Sequence, residues 1–317
     1  MASGQINAFL VNAFTKNGAG GNPAGVVLNA DDLDTVQKQM IAKQLNFSET
    51  AFVSKKYDCN ASNAIDFDVS FYTPTQEVDF CGHATLAAFT CLLDQGVITH
   101  GKYVQMTKVG ALDVAVKQDG RVIIEQAVAQ FFQRFEWQDI EALIYPSPFN
   151  ALQNKLPIEV VSTGLKDCFI PVPKGMLDTL AFDFPLIARF CKRHDLIGFH
   201  LFELEECADN QMHSPVRAQC RNIAPLVGID EESATGSSSG ALACYLNRYL
   251  EHRPTDFEFE QGRKMGCLSS LTVKLTASQS LDEQVIKQVS VISNDELKYK
   301  VNVSGYSKLM GRQRINV

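Results

Sequence analysis

Alternation of apolar and polar side chains predicts strands in two stretches of the first half of the chain. Residues 64–73 place four apolar side chains on one face of an extended segment: Ile65, Phe67, Val69 and Phe71. A period of two residues is typical of a half-buried strand. Residues 112–126 predict a hairpin, because Asp119 and Gly120 supply a tight turn between two apolar runs.

A helical period predicts an amphipathic helix over residues 31–45. Asp31 or Asp32 is expected to cap its N-terminus. The apolar residues expected to share one face are Leu33, Val36, Met40 and Leu45. We expect this face to lie on a sheet.

The second half repeats the alternation of strands and helices. The segments "DCFIPVP" and "IGFHLFEL" are typical of strands, whereas "FPLIARFCKRH" and "GALACYLNRYLEHR" are typical of helices. The pattern predicts a mixed α and β protein with two similar lobes. We place the N-terminal lobe at 1–130, a connection at 131–157 and the C-terminal lobe at 158–317, with a terminal strand that can pair with the other lobe.

Composition and charge narrow the classes of function. The 317 residues carry a net charge of −7, and the pI is about 5.4, so no nucleic-acid partner is expected. The chain begins without a basic segment before its first apolar residues, and no apolar run is long enough to span a membrane. A cytoplasmic protein is expected. Nine cysteines and six histidines are scattered without regular spacing, so neither a disulfide framework nor a metal site is predicted.

Two segments about 150 residues apart share one local construction. Residues 79–93 read "DFCGHATLAAFTCLL" and residues 232–246 read "ESATGSSSGALACYL". Each is expected to turn from extended chain into a helix of small residues, with a glycine at the turn. The first turn of a helix is an anion site, because its N–H groups are unpaired. We interpret the pair as two walls of one site for a small carboxylate; two helices that are merely buried in two cores would give the same pattern.

Four side chains near these segments have relevant chemistry. His83 can donate to a substrate or relay a proton, and Cys81 stands where a helix N-terminus favours a thiolate. Thr235 occupies the equivalent position in the second segment, and a hydroxyl is not a base unaided. Glu49, in "NFSETAFV", can act as a general base in a partly apolar environment. Three of them also have a structural interpretation: His83 as a helix-start histidine, Cys81 as an inert cysteine and Glu49 as a solvated glutamate in a surface turn.

Five motifs in order resemble one family. "GNPAGVVL", "NFSETAFV", "FYTPTQEVDFCGHATLAAF", "GIDEESATGSSSGAL" and "FEQGRKMG" are similar to the phenazine-biosynthesis (PhzF-like) isomerase family. The resemblance covers residues 7–273 and implies an α+β, diaminopimelate epimerase-like fold. In that fold two pseudo-symmetric lobes each curl a mostly antiparallel sheet around a central helix, and the active site lies in the cleft between them. It also implies a homodimer without a cofactor.

The resemblance assigns roles to residues. Glu49 is expected to take a proton from one carbon and return it elsewhere, with His83 and Glu232 positioning and polarising the substrate. The substrate-binding residues it implies are Gly82, Thr235, Gly236 and Ser237. Two departures concern Glu232, which stands where the phenazine enzyme has aspartate, and Cys81, which aligns with one of the two catalytic cysteines of diaminopimelate epimerase. The second of those cysteines aligns with Thr235, which disfavours a two-thiol mechanism.

Three functions follow from these residues. The first is a cofactor-independent isomerase that moves a proton between carbons of a small carboxylated, anionic metabolite. The second is an amino-acid racemase or epimerase that uses Cys81. The third is a small-ligand-binding protein on the same fold without catalysis.

Overall fold

The structure is a computed structural model that describes residues 5–55, 65–146, 156–205, 214–277 and 299–316. The chain divides into two compact units. The first unit comprises Met1–Glu125, Met265–Ser270 and Ser304–Val317. The second unit comprises Gln126–Lys264 and Leu271–Val303.

Strands and α-helices alternate along the described residues, which confirms the predicted mixed α and β class. The strands are β1 (Gln5–Ala13), β2 (Asn22–Leu28), β3 (Thr50–Lys55), β4 (Phe67–Tyr72), β5 (Glu77–Val78), β6 (Gly101–Thr107), β7 (Gly110–Val116), β8 (Val122–Gln126), β9 (Gln130–Phe135), β10 (Ile144–Tyr145), β11 (Ile158–Ser162), β12 (Lys166–Pro171), β13 (Ala181–Phe182), β14 (Gly198–Leu204), β15 (Val216–Ala224), β16 (Ile229–Glu232), β17 (Asp256–Gln261), β18 (Ser269–Ala277), β19 (Tyr299–Gly305) and β20 (Lys308–Asn316). The helices are α1 (Thr35–Leu45), α2 (Gly82–Asp94), α3 (Trp137–Ile140), α4 (Phe184–His194) and α5 (Gly236–Tyr249).

In the first unit, eight strands pair in the order β20, β1, β2, β3, β4, β6, β7, β8. The pairs β2–β3 and β4–β6 are parallel, and the others in this series are antiparallel. The chain passes through α1 between β2 and β3, and through β5 and α2 between β4 and β6. A parallel pair needs such a crossover connection.

The second unit repeats this order. Its strands pair as β9, β11, β12, β14, β15 and β17, and β16 also pairs with β15. The pairs β12–β14 and β15–β17 are parallel. The chain passes through α4 between the first pair, and through β16 and α5 between the second. Both units therefore contain a short antiparallel strand, a buried helix and a parallel return strand in succession, and the helices of small residues are those that the two similar segments predict.

Helices α2 and α5 are buried over almost their whole length. In α2 every residue from His83 to Leu92 is buried, and α2 packs on β1, β2 and β3. In α5 the buried residues include Gly236 and all of 238–247, and α5 packs on β11 and β17. A helix that is apolar on all sides is one that the core surrounds. Alanine, serine and glycine let the strands approach these helices closely.

The predicted strand and hairpin in the first unit are confirmed. Phe67, Val69 and Phe71 of β4 are buried. Strands β7 and β8 pair antiparallel, and the turn between them has Gly120 at a φ of 82°, the left-handed region that glycine favours.

The prediction for α1 is correct in its existence and wrong in its cap and its buried face. Asp34 is the N-cap, and its Oδ1 accepts from the N–H of Gln37 at 2.8 Å. Val36 and Met40 are exposed, at 67% and 47%, while Leu45 is buried. At 3.6 residues per turn Met40 and Leu45 point about 140° apart, so the two cannot share one face. The residues that α1 buries are Ile41, Ala42 and Leu45.

Two parts of the chain bear on the predicted lobe boundaries, the connection and the last strand. In the predicted connection, 131–157, β9 pairs with β11 of the second unit, and residues 147–155 lie outside the described residues. The last strand, β20, pairs with β1 of the first unit.

Within the described ranges, no helix combines the length and the apolar character needed to cross a bilayer.

Candidate functional site

The two buried helices begin in the same way. Cys81 is the N-cap of α2 and Thr235 is the N-cap of α5, and both have extended backbones, with φ of −145° and −124°. Neither side chain makes the usual capping hydrogen bond to its helix. The first turn of each helix is therefore not closed by its own N-cap side chain, and such a helix terminus can bind an anion.

A hydroxyl four residues into each helix fixes the N-cap carbonyl. Thr85 Oγ1 donates to the carbonyl oxygen of Cys81 at 2.9 Å. Ser239 Oγ donates to the carbonyl oxygen of Thr235, also at 2.9 Å. The same bond thus holds the turn before each helix.

In the first unit, the fold brings together Glu49, Cys81 and His83, whose ligand-type atoms all lie within 4.8 Å of one another. Glu49 immediately precedes β3, and His83 is the second residue of α2. The Oε2 atom of Glu49 is 3.3 Å from Nε2 of His83. The Sγ atom of Cys81 is 3.3 Å from Nδ1 of the same ring, and Ser48 Oγ is 3.4 Å from Nε2. The imidazole of His83 therefore contacts both a thiol and a carboxylate.

Burial determines whether the His83 imidazole is charged. Desolvation lowers the pKa of His83, and the nearby Glu49 carboxylate only partly opposes that effect. The ring is therefore neutral at neutral pH. The Oε2 atom of Glu49 is buried and accepts no hydrogen bond from the described residues, because its contact with His83 is not aligned as one.

Gly82 leaves open space beside these residues. A Cβ atom placed on Gly82 would meet nothing within 4 Å, and its φ is not in the left-handed region. Neither packing nor backbone conformation thus requires glycine here. A side chain at this position would project into space next to His83, which is the arrangement expected where a ligand approaches the backbone.

In the second unit, the predicted residues Glu232 and Thr235 contact each other. Thr235 Oγ1 donates to Oε2 of Glu232 at 2.6 Å. Gln261 of β17 holds both residues, because its Nε2 donates to the Glu232 carbonyl at 2.7 Å and to Thr235 Oγ1 at 3.0 Å. The Thr235 hydroxyl is thus oriented toward Glu232, and the carboxylate is the basic group of the pair.

The predicted binding residues Gly236 and Ser237 form the start of α5. Gly236 is buried and Ser237 is half-buried. Thr163 Oγ1 lies 2.9 Å from the carbonyl oxygen of Ser237 and 2.8 Å from Gln126 Oε1, and its one proton bonds to either acceptor. This fixes the first turn of α5 from the side.

Four buried polar side chains connect α5 to the strands beside it. Ser238 Oγ donates to Oδ2 of Asp167. Asn222 Nδ2 lies 3.2 Å from Ser238 Oγ and 3.2 Å from Nδ1 of His200. These groups come from β12, β14, β15 and α5, so the cluster ties the helix to three strands. We name Asp167, His200, Asn222 and Ser238 the α5 polar cluster.

Desolvation sets the ionisation of the α5 polar cluster. Burial raises the pKa of Asp167 to about 6, although hydrogen bonds from Ser238, Asn222 and the Gly198 backbone oppose the rise. Burial lowers the pKa of His200 to about 3. At neutral pH the histidine is neutral and the carboxylate is ionised inside the core.

Several of these residues were not among the sequence predictions: Ser48, Thr163, Asp167, His200, Asn222 and Gln261. For Asp167 and His200 the sequence itself contains an indication of a buried polar role. Asp167 and His200 are polar residues within the apolar strands "DCFIPVP" and "IGFHLFEL", and a buried polar group must find a hydrogen-bond partner.

The sequence model of the phenazine biosynthesis-like protein family (PhzC-PhzF) matches residues 11–305. An uncharacterized isomerase of Clostridium acetobutylicum is 30% identical over 310 residues, covering 95% of each chain. The trans-2,3-dihydro-3-hydroxyanthranilate isomerase of Pseudomonas chlororaphis is 27% identical over 243 residues, covering 76% of this chain and 79% of that enzyme. The chain belongs to this family and is an isomerase.

Solved structures agree in fold. A PhzF-family protein of Bacillus anthracis superposes with a TM-score of 0.80 at 25% identity, covering 99% of this chain and 100% of that chain. A hydroxyproline epimerase of Agrobacterium vitis superposes with a TM-score of 0.60 at 12% identity, covering 100% and 92%. The predicted diaminopimelate epimerase-like α+β fold is confirmed.

The raised pKa of Asp167 predicts a pH-dependent stability. A carboxyl whose pKa rises on folding stabilises the protein at low pH, and this contribution is lost as the pH rises from about 4 through about 6. Replacement of Asp167 by Asn removes the charge. The unfolding free energy of Asp167→Asn, relative to that of the wild type, should therefore rise by roughly 2–3 kcal/mol between pH 4 and pH 7.

Urea denaturation at both pH values measures this difference. Trp137, the single tryptophan, is buried in the second unit with Asp167 and reports its unfolding by fluorescence. His200 is common to both proteins, so its own titration contributes equally. The exposed carboxylate of Asp230 supplies the control Asp230→Asn, which should show no such gain. An equal effect of both substitutions would contradict the prediction.

Proposed function

We propose that this member of the phenazine biosynthesis-like family is a cofactor-independent isomerase that moves a proton between two carbons of a small carboxylated metabolite, with Glu49 as the general acid and base. The observation that carries the proposal is the state of the Glu49 carboxylate. Its Oε2 atom is buried, accepts no hydrogen bond from the described residues, and lies 3.3 Å from a neutral His83. A desolvated carboxylate oxygen without a donor is available to accept a proton.

The neutral state of His83 matters for this chemistry. An imidazolium at 3.3 Å would stabilise the carboxylate and weaken it as a base. Because burial lowers the pKa of His83, the ring instead offers a neutral polar contact. Glu49 takes a proton from one carbon, the electron pair of that bond delocalises in the substrate, and the resulting carboxylic acid returns the proton to another carbon. The protonation state of the enzyme is restored, and no oxidant or reductant is consumed.

The start of α5 is the proposed anion-binding element. Gly236 and Ser237 occupy its first turn, where the helix dipole favours a negative group. We propose Glu232 as a positioning group, held by Thr235 and Gln261. Since a relative acts on trans-2,3-dihydro-3-hydroxyanthranilate, that compound is the first substrate to test, followed by small amino and hydroxy acids.

Replacement of Glu49 by Gln should abolish carbon-proton transfer without unfolding the protein. Gln retains the size of the side chain but cannot accept the proton, so turnover should fall by at least ~10²-fold. The measurement is deuterium incorporation at carbon in heavy water, followed by mass spectrometry over the substrate panel. Thermal unfolding of the variant reports its folding.

The matched control is Glu77→Gln, which neutralises a carboxylate that pairs with Lys108 in the same unit. It should leave incorporation unchanged. Full incorporation by Glu49→Gln would exclude Glu49 as the base, whatever the substrate.

The open space beside Gly82 gives a second test. Replacement of Gly82 by Ala should change the unfolding free energy by less than about 1 kcal/mol, because the new methyl group meets no atom within 4 Å. It should nevertheless lower kcat/KM by at least ~10-fold if substrate fills that space, since a small displacement of a bound substrate is costly. Gly311→Ala, at a strand glycine that is equally open, is the control and should alter neither quantity. Unchanged kinetics in Gly82→Ala would show that the substrate does not occupy this position.

A second candidate function is a racemase or epimerase that uses Cys81 as a base. The 3.3 Å contact between Cys81 Sγ and His83 Nδ1 favours it, because a neighbouring imidazole can accept a thiol proton. In this case Cys81→Ala should abolish deuterium incorporation at an α-carbon. The Glu49 mechanism instead expects the variant to retain incorporation within about threefold. Chiral analysis of the product separates inversion at one carbon from transfer between two carbons.

A further inference from the structure

Glu49, Cys81 and His83 supply three different metal-ligating atoms at one point of the first unit. A carboxylate oxygen, a thiol sulfur and an imidazole nitrogen lie within 4.8 Å of one another. Residue spacing alone does not predict a metal site here, because Glu49 lies more than thirty residues before the other two. Only the return of the chain through β3, β4 and α2 brings them together.

The separations between these atoms suit a tetrahedral zinc ion. Zinc binds imidazole nitrogen and carboxylate oxygen at about 2.0–2.2 Å and thiolate sulfur at about 2.3 Å, so tetrahedral angles place N and O about 3.3–3.5 Å apart and S and N about 3.5 Å apart. Here Nε2 of His83 and Oε2 of Glu49 are 3.3 Å apart. The Sγ of Cys81 is 4.0 Å from the same nitrogen, so the thiol would approach by about half an ångström.

The carboxylate oxygen also lacks the partner that a cation would supply. Oε2 of Glu49 is buried and receives no hydrogen bond from the residues described. Burying an ionised carboxylate oxygen without a partner is costly, and coordination to a metal is one of the ways in which proteins offset that cost.

Open space lies beside the backbone of Gly82, the residue between two of the three ligands in the chain. Three protein ligands and one open position are typical of accessible zinc sites. Beside Cys81 and His83, the backbone of Gly82 faces space in which an added Cβ would meet nothing within 4 Å. The combination of sulfur, nitrogen and a single carboxylate favours zinc over magnesium or calcium, which prefer sites made of oxygen alone.

We infer that Glu49, Cys81 and His83 form a binding site for a thiophilic divalent cation such as Zn²⁺, and that the bound ion blocks proton transfer by occupying the Glu49 carboxylate. Binding itself depends only on the geometry of the three side chains. The inhibitory consequence rests on the proposed function of Glu49. Zinc is therefore a reversible inhibitor, and Cys81 is the residue that makes the site selective for it.

Cobalt(II) titration of the reduced, metal-free protein tests the site without reference to activity. A cobalt–thiolate bond gives a charge-transfer band in the near ultraviolet, and tetrahedral coordination gives intense visible bands. One equivalent of Co²⁺ should produce both, and Zn²⁺ should displace it. Absence of the charge-transfer band in the wild-type protein would overturn the proposal.

Matched variants locate the ligands. Cys81→Ser and Glu49→Gln should each weaken Co²⁺ binding at least ~100-fold, since changes in residues that merely support ligands already cost 10–100-fold. Cys267→Ser is the control, because Cys267 is a half-buried cysteine of the same unit outside the group. It should retain the wild-type spectrum. A charge-transfer band that persists in Cys81→Ser would place the metal elsewhere and overturn the assignment.

Activity measurements separate the two proposals. With an identified substrate, Zn²⁺ at a concentration that displaces Co²⁺ should suppress deuterium incorporation, and a chelator should restore it. Full activity of the zinc-loaded enzyme would overturn the inhibitory consequence. A Co²⁺ spectrum that depends on Cys81, in a protein that exchanges no substrate proton, would support the metal site and count against the proposed function alone.

Discussion

The burial of helices α2 and α5 on all sides is the constraint on which the rest of the structure depends. A helix that no water reaches along its length must satisfy its own polar groups, and α-helical hydrogen bonds do so everywhere except at the ends. Backbone polar groups without a helical partner are consequently confined to the ends of each helix. Cys81 and Thr235, both extended and neither capping, mark the points where each unit's buried helix meets a position suited to a ligand.

The same burial determines which groups carry charge. His83 and His200 are neutral because desolvation outweighs their polar contacts, and the rise in the pKa of Asp167 has the same origin. Exposure of these three side chains to water would remove the desolvation that shifts their pKa values. The neutral His83 is what distinguishes the Glu49 carboxylate from a member of an ordinary ion pair, whose charges would be mutually stabilised.

The local features of this fold could be predicted from sequence, and the contacts between distant segments could not. The glycine turns and the small-residue helices were visible in "CGHATLAAF" and "TGSSSGALA". The family motifs predicted Glu49 as a candidate base, and in the structure its carboxylate lies 3.3 Å from His83. The face of α1 was misassigned because Val36 and Met40 are apolar residues on its exposed side. Contacts such as Gln261 with Thr235, or Asp167 with Ser238, depend on strand register across the second unit, and residue spacing does not encode that register.

The position of β1 has a consequence for how the chain is made. β1 pairs with β2 on one side and with β20, the last strand of the described chain, on the other. A ribosome releases residues 308–316 about three hundred residues after β1, so one edge of β1 stays unpaired throughout synthesis of most of the chain. An exposed strand edge is a template for association with other chains. The second unit is translated almost entirely before the first can close, and that edge of β1 stays exposed until residues 308–316 emerge.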